Sequence, residues 1–296
     1  MPEVHTWPLI AALVGLLVGF AVGRWAGPQL LEALAATNLS RVNYRQRTVV
    51  AGLGIALAVG LLAWAGPLAL VGELASGSGW PARSGIAMSG PAVAAVLAGL
   101  AFALLGLLDD LIQDQGHRGF LGHLRALRHG RLTGGAVKLL GGALVALVVA
   151  PLAVGLERPW YLMLVGAVVI ASSANLANLL DLRPGRCTKV FLPLWVVGCL
   201  LDPTTGAWSA GLAGAAAGTF PLDLGERGML GDAGANALGA VVGVLLVTGP
   251  VWLLWALAVV LLGLQAASER VSFSRVIDGN RWLRAVDRLG RQNLDA

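Results

Sequence analysis

Charge is scarce in this chain of 296 residues: 12% of its residues are Asp, Glu, Lys or Arg. Ordinary soluble domains carry about 25%, so a soluble globular fold is excluded. Cysteine is scarce as well. The two present, Cys187 and Cys199, fit no metal-ligand spacing and no disulfide framework, and they read as packing residues. The first apolar stretch lacks a small-residue cleavage site of the A-x-A kind after a basic start, so it reads as retained. No internal repeat, low-complexity tract or separate soluble domain interrupts the chain. What is present in excess is apolar: 57% hydrophobic residues, with 41 glycines suited to close helix packing in lipid.

This composition predicts an all-α, polytopic integral membrane helical bundle. Apolar stretches long enough to span, or nearly so, fall at 8–25, 49–71, 86–108, 134–155, 160–180, 190–201, 207–222, 233–249 and 251–267. They make nine transmembrane helices, the two at 190–201 and 207–222 being short. One membrane domain, 1–267, is followed by a cytoplasmic basic amphipathic tail, 268–296. With nine spans, all of the 21 Lys and Arg residues except Arg83 and Arg158 fall on one side. By the positive-inside rule that side is cytoplasmic, which puts the N-terminus outside and the C-terminus cytoplasmic. An even number of spans would scramble the partition.

Most carboxylates share that side. Asp109, Asp110, Asp114, Asp181, Asp223, Glu226, Asp232 and Glu269 all fall there; before the tail, only Glu3, Glu73, Glu157 and Asp202 fall outside. Three polar clusters end apolar spans. Asp109 and Asp110 close the stretch that ends Gly106-Leu-Leu-Asp-Asp110. Ionisable groups at membrane depth are costly and mark function by default. Adjacent helix residues point about 100° apart, so one of the pair can face a site while the other holds a neighbour. The second cluster, Asn175-Leu-Ala-Asn178-Leu-Leu-Asp181, has spacings of three that place its polar residues on one helix face. The third is Gly231-Asp232-Ala-Gly234, just before an apolar helix. Carboxylate oxygens suit Mg²⁺, and arginines suit phosphate. Together they are the equipment for phosphoryl transfer. Each cluster also has a bland reading: interhelical hydrogen bonding for Asn175 and Asn178, helix capping for Asp232, and lipid anchoring for the arginines. The segment His117–Arg131 has apolar residues at roughly helical spacing between arginines, as an interfacial helix would.

These residues resemble the polyprenyl-phosphate N-acetylhexosamine-1-phosphate transferases, a family that includes phospho-N-acetylmuramoyl-pentapeptide transferases and UDP-GlcNAc:undecaprenyl-phosphate transferases. The resemblance runs from about Asn43 to Gln265. It rests on the Asp109-Asp110 pair, on Thr133-Gly-Gly-Ala-Val-Lys138, on Asn175-x-x-Asn178-Leu-x-Asp181, and on Leu230-Gly231-Asp232-Ala-Gly234, in the family's order. The resemblance implies transfer of a sugar-1-phosphate from a UDP-N-acetylhexosamine-type donor to undecaprenyl phosphate, with release of UMP, at the cytoplasmic face of the inner (plasma) membrane. It implies catalytic Asp109, Asp110 and Asp181, and Asp232 as the ligand of Mg²⁺, with Mn²⁺ as a substitute. Substrate-binding roles fall to Asn43, Lys138, Asn175, Asn178, Arg183 and Arg186. The partners implied are undecaprenyl phosphate, a nucleotide sugar and the membrane. No nucleic acid is implied, and a homodimer is left open.

The sequence departs from the family at several places. Pro184 stands where the family has a second aspartate, the first loop around Asn43 lacks proline, and Met229 replaces an aromatic. The late histidine cluster and the tenth helix are absent. Two other functions therefore stand beside the transferase: a non-catalytic relative that binds polyprenyl phosphate as an envelope-synthesis scaffold, and a lipid transporter.

Overall fold

The structure, a computed structural model, describes residues 6–75, 87–112 and 134–291. The basic segment 117–131, Arg83 and Asp114 lie outside the described residues. The helices are α1 (Thr6–Leu34), α2 (Leu53–Ala75), α3 (Gly90–Ile112), α4 (Gly134–Val154), α5 (Trp160–Leu180), α6 (Arg186–Leu201), α7 (Pro203–Leu224), α8 (Gly231–Val247) and α9 (Val251–Ser268). Two short helices, α10 (Phe273–Gly279) and α11 (Arg281–Arg288), form the tail. Each of the nine apolar stretches overlaps one of α1 to α9, in most cases with ends that differ by several residues. Among the described residues, six helices are long and apolar enough to cross a membrane: α1 to α5 and α9. The architecture is therefore all-α, of the kind a polytopic membrane protein has.

Glycine sets the spacing of the bundle. In α1, Gly15, Gly19, Gly23 and Gly27 recur every fourth residue and are all buried. They lie on one face of the helix, and that face meets α7. A methyl group at Gly19 would come within 2.0 Å of the Gly211 carbonyl oxygen, and one at Gly23 within 2.5 Å of the Ala215 oxygen. Backbones this close are the small-residue packing that membrane helices use in place of a hydrophobic drive.

Helix α8 is the axis of the other half. Every residue in it except Asp232 is buried. It packs against α2, α3, α5 and α6. Three glycines let the backbones touch: Gly54 of α2 faces the Gly234 nitrogen, Gly106 of α3 faces the Asp232 carbonyl, and Gly239 faces the Ser173 carbonyl of α5.

A small sheet closes one end of the bundle. Strands β1 (Ser40–Val42) and β2 (Thr48–Ala51) pair antiparallel, with Arg41 opposite Val49. Strand β3 (Gly228–Met229) joins β2 in parallel, with Val50 opposite Gly228. The β1–β2 turn is held by the Asn43 side chain, whose Oδ1 accepts from the Arg45 and Arg47 amides at 2.9 and 3.0 Å. The sheet ties the α1–α2 connection to the α7–α8 connection, and it adds strands to a chain that the sequence describes as helix alone.

Candidate functional site

The N-terminus of α8 needs partners for its first amide groups, which no helical carbonyl can satisfy. No side chain caps it locally; the residue at the cap position is Leu230. Two other helices supply the acceptors. Asp181, just past α5, accepts from the Gly231 amide at 3.0 Å, and Asp110 of α3 accepts from the Ala233 amide at 3.2 Å. Both carboxylates are buried, and the positive end of the α8 dipole favours their charge. Gly231 makes the arrangement feasible. Its φ is +69°, a region that costs other residues, and a Cβ there would lie 2.8 Å from Asp110 Oδ2.

With its backbone fixed in this way, α8 presents its one partly exposed residue to the neighbouring helices. Asp232 Oδ2 is in short contact with Lys138 Nζ of α4. The same ammonium lies 3.4 Å from Asp109 Oδ2 of α3. Asn178 of α5 completes the group. With its amide oriented to suit both neighbours, Nδ2 donates to Asp232 Oδ1 at 2.8 Å and Oδ1 accepts from Lys138 Nζ at 2.5 Å. Four helices thus deliver Asp109, Lys138, Asn178 and Asp232 to one place. The carboxyl side chains there keep about a fifth of their surface open, at 24% for Asp109 and 21% for Asp232.

The Asp109-Asp110 pair is split in role. Asp109 faces the Lys138 group. Asp110 turns to the α8 backbone and to Arg41 of β1, whose Nη2 lies 3.3 Å from Asp110 Oδ1. Burial, followed by the nearby Asp223 and Asp232 carboxylates, pushes the pKa of Asp181 well above the usual carboxylate range. Four carboxylates, Asp109, Asp110, Asp181 and Asp232, thus crowd the α8 terminus, while the cations paired with them are Arg41 and Lys138.

The remaining sequence candidates lie around this centre. Asn175 is directed elsewhere: its Nδ2 donates to Gln265 Oε1 of α9 at 2.5 Å. Asn43 donates to Glu226 Oε2 at 3.0 Å, and Tyr44 donates to Glu226 Oε1 at 3.0 Å. Arg183 lies with its guanidinium 4.2 Å over the Tyr44 ring. Asn43, Tyr44, Arg183 and Glu226 line a small cleft together with Asp181 and Asp223. Arg186 is buried and taken up by the tail, donating to Asp287 Oδ1 and Oδ2 at 2.8 and 3.1 Å. Its guanidinium is therefore engaged by a carboxylate of the chain itself.

Several contributors carry no motif of their own. Arg41, Tyr44 and Glu226 reach the site through the sheet. Asp223, buried on α7, accepts from the Gly185 amide at 3.0 Å, beside the position where Pro184 stands. The only signal for these four in the sequence is that the nine-span expectation assigns their segments to one side.

Among the described residues, no group of three or more His, Cys, Asp or Glu side chains is placed to hold a metal alone. Mg²⁺ asks for less: it commonly takes one or two carboxylates, keeps waters, and fills its shell with substrate phosphate. The oxygens of Asp109, Asp232 and Asn178, in an excess of negative charge, fit that requirement. No protein-family model matches the chain, and no curated protein matches it.

Proposed function

We propose that this chain is a membrane phosphoglycosyl transferase that moves a sugar-1-phosphate from a UDP-N-acetylhexosamine-type donor to undecaprenyl phosphate at the cytoplasmic face. The observation that carries this reading is the convergence of Asp109, Lys138, Asn178 and Asp232 from four helices around the N-terminus of α8. The amides of that terminus are taken by Asp110 and Asp181, so phosphate contact falls to the side chains and to a bound cation. The acceptor needs little activation, because a phosphate monoester is largely dianionic near pH 7 with a second pKa of about 6. An oxygen of the lipid phosphate attacks the β-phosphorus of the donor. The bond from that phosphorus to the bridging oxygen breaks, and UMP leaves with the electron pair.

What the site must supply is charge neutralisation. Asp109, Asp232 and the Asn178 carbonyl would hold Mg²⁺ or Mn²⁺, and the ion would neutralise the diphosphate. Lys138, on a flexible stem between the two carboxylates, would turn its ammonium from them to pair with a phosphate oxygen. Asp110 and Asp181 hold the α8 backbone and so aim Asp232. Arg183, over Tyr44 in the cleft, is the guanidinium placed for the donor.

Radiolabelled UMP exchange into a panel of nucleotide sugars, with undecaprenyl phosphate and Mg²⁺ present, tests the proposal. Exchange is expected with a simple UDP-N-acetylhexosamine and not with the muramoyl-pentapeptide donor. A second reading, a scaffold that binds polyprenyl phosphate without turnover, is favoured by the direct contact of Lys138 with Asp232. Lipid-phosphate binding without exchange from any donor would establish it in place of the transferase.

A further inference from the structure

The tail is anchored to the bundle by one side of α11. Asp287 is 6% exposed. Arg186 donates to both of its carboxylate oxygens, Lys189 Nζ donates to its backbone oxygen at 2.7 Å, and Arg291 lies 2.6 Å from Oδ1. Burial alone would raise the pKa of Asp287, but the Arg186 hydrogen bonds and the charges of Arg186, Arg291 and Lys189 hold it below the usual range. In α10, Asp278 is paired with Arg183 at 3.5 Å.

The other sides of α11 face outward. At about 100° per residue, Trp282 and Val286 fall about 40° apart, with Leu283 beside them. Arg281, Arg284 and Arg288 fall together within about 60° on the opposite flank. The apolar side chains are open: Trp282 is 69% exposed and Val286 61%. Leu289, which follows the helix, is exposed as well. Arg281 lies over the Trp282 ring at 4.8 Å, so the long basic side chain covers apolar surface while its charge stays outside.

We propose that this face of α11 binds the anionic lipid surface of the membrane that the chain spans. The occupant follows from charge and place. Both carboxylates of the two tail helices, Asp278 and Asp287, are paired with arginines, so the outward charge is that of arginine. An apolar strip bearing tryptophan, backed by arginines on the polar side of the helix, is the composition of helices that lie in the lipid interface. The tail leaves α9, a candidate span, at Ser268, and α11 begins at Arg281. A helix tethered this closely stays near the surface it meets. Lipid contact would hold Asp287, and through Arg186 the 181–186 loop, against the bundle. The inference does not depend on the transferase reading.

The full-length chain carrying Val286→Cys, labelled with the fluorophore NBD and held as single copies in nanodiscs, provides the test. The unsubstituted chain, whose Cys187 is buried and whose Cys199 is partly buried, gives the labelling background. In discs of phosphatidylcholine with phosphatidylglycerol, the label is expected to be quenched by nitroxides near the lipid headgroups and shielded from iodide. In phosphatidylcholine alone the quenching should fall several-fold. Changing Arg281, Arg284 and Arg288 to Gln should lower the ratio of membrane-bound to free tail by roughly 10²-fold, at about five-fold per charge. A label open to iodide in both kinds of disc overturns the proposal. Equal quenching in both lipids overturns its electrostatic basis. Shielding that appears only as protein density rises in detergent assigns the face to a second copy of the chain instead.

Discussion

Gly106→Ala is the sharpest test of how the site is held. Gly106 lies in α3 one turn before Asp110, against the start of α8. A Cβ there would sit 2.2 Å from the Asp232 carbonyl oxygen and 2.5 Å from the Ala233 nitrogen. Both are backbone atoms, so no side chain can swing away. Ordinary contact is about 3.5 Å, and the two helices must part by roughly 1 Å to reach it. Overpacking of this kind costs about 1–3 kcal/mol. Separation also stretches the 3.2 Å bond from the Ala233 amide to Asp110, worth about 0.5–1.5 kcal/mol. The gain in helix propensity from Gly to Ala returns about 0.5–1 kcal/mol, leaving a net loss of about 0.5–4 kcal/mol. Gly263→Ala in α9 is the control, because nothing lies within 4 Å of its Cβ position. It keeps only the propensity gain and should be neutral or slightly stabilising. Thermal unfolding of both variants in detergent reads the difference: Gly106→Ala should melt several degrees below wild type and Gly263→Ala at or above it. In the transferase reading, a displacement of about 1 Å between Asp109 and Asp232 should also lower turnover by roughly 10²-fold. A Gly106→Ala protein that melts with the control refutes the close contact of α3 and α8.

Asp232→Asn should abolish Mg²⁺-dependent exchange while leaving the melting temperature near that of wild type, since Asp232 caps no amide; normal turnover would remove Asp232 from the chemistry. Asp110→Ala should instead cost about 1–3 kcal/mol in thermal unfolding, because it leaves the buried Ala233 amide without an acceptor, and Asp110→Asn should recover part of that loss. The Asp287 clamp has a depressed carboxyl pKa, so its stabilisation is fully present above the unfolded value of about 3.9 and is lost as pH falls through the lower folded value. Hydrogen exchange of 273–288, corrected for intrinsic rates, should therefore stay slow from neutral pH down to about 4 and quicken only below; protection lost near pH 6 would refute the clamp. A reporter fused after Ala296 should be active only if it works in the cytoplasm, and activity from the outer side would reverse the orientation.

The helices were legible because each is an apolar run, and a run needs no partner to be seen. Their ends were less so, for local reasons. The stretch beginning at 49 starts as helix only at Leu53, because the β-branched Thr48, Val49 and Val50 enter strand β2. The stretch at 207 begins earlier, at Pro203, where Asp202 accepts from the Thr205 amide at 3.0 Å and caps α7. The sheet itself was hidden. Its strands are three, four and two residues long, and β3 pairs with a segment nearly 180 residues away. No periodicity can build over so few residues.

The site was legible where helix geometry decides it and hidden where distant partners do. Each step of three residues turns a helix by about 300°, which leaves a drift of about 60°. Asn175 and Asp181 are therefore about 120° apart. That is a broad arc, and a neighbouring helix can claim one edge of it. Helix α9 does so through Gln265, while Asn178 and Asp181 reach α8. Asp109 and Asp110 differ by about 100° in the same way, and the difference separates a group that faces Lys138 from one that holds a backbone. Sequence spacing ranks residues by direction but cannot say which neighbour waits there. Arg186 is the clearest case. Its charge and position suit a phosphate, yet Asp287, 101 residues on, is its partner. The sign of that pairing was the single carboxylate of α11, Asp287, set among its arginines. A lone opposite charge on an otherwise basic helix is held either by solvent or by a buried cation, and here the cation is the arginine beside Gly185. Lys138 and Arg183 are paired as well, with Asp232 and Asp278, but their side chains stay partly open at 18% and 24% while that of Arg186 is 4% exposed, so the transferase reading draws on them and not on Arg186.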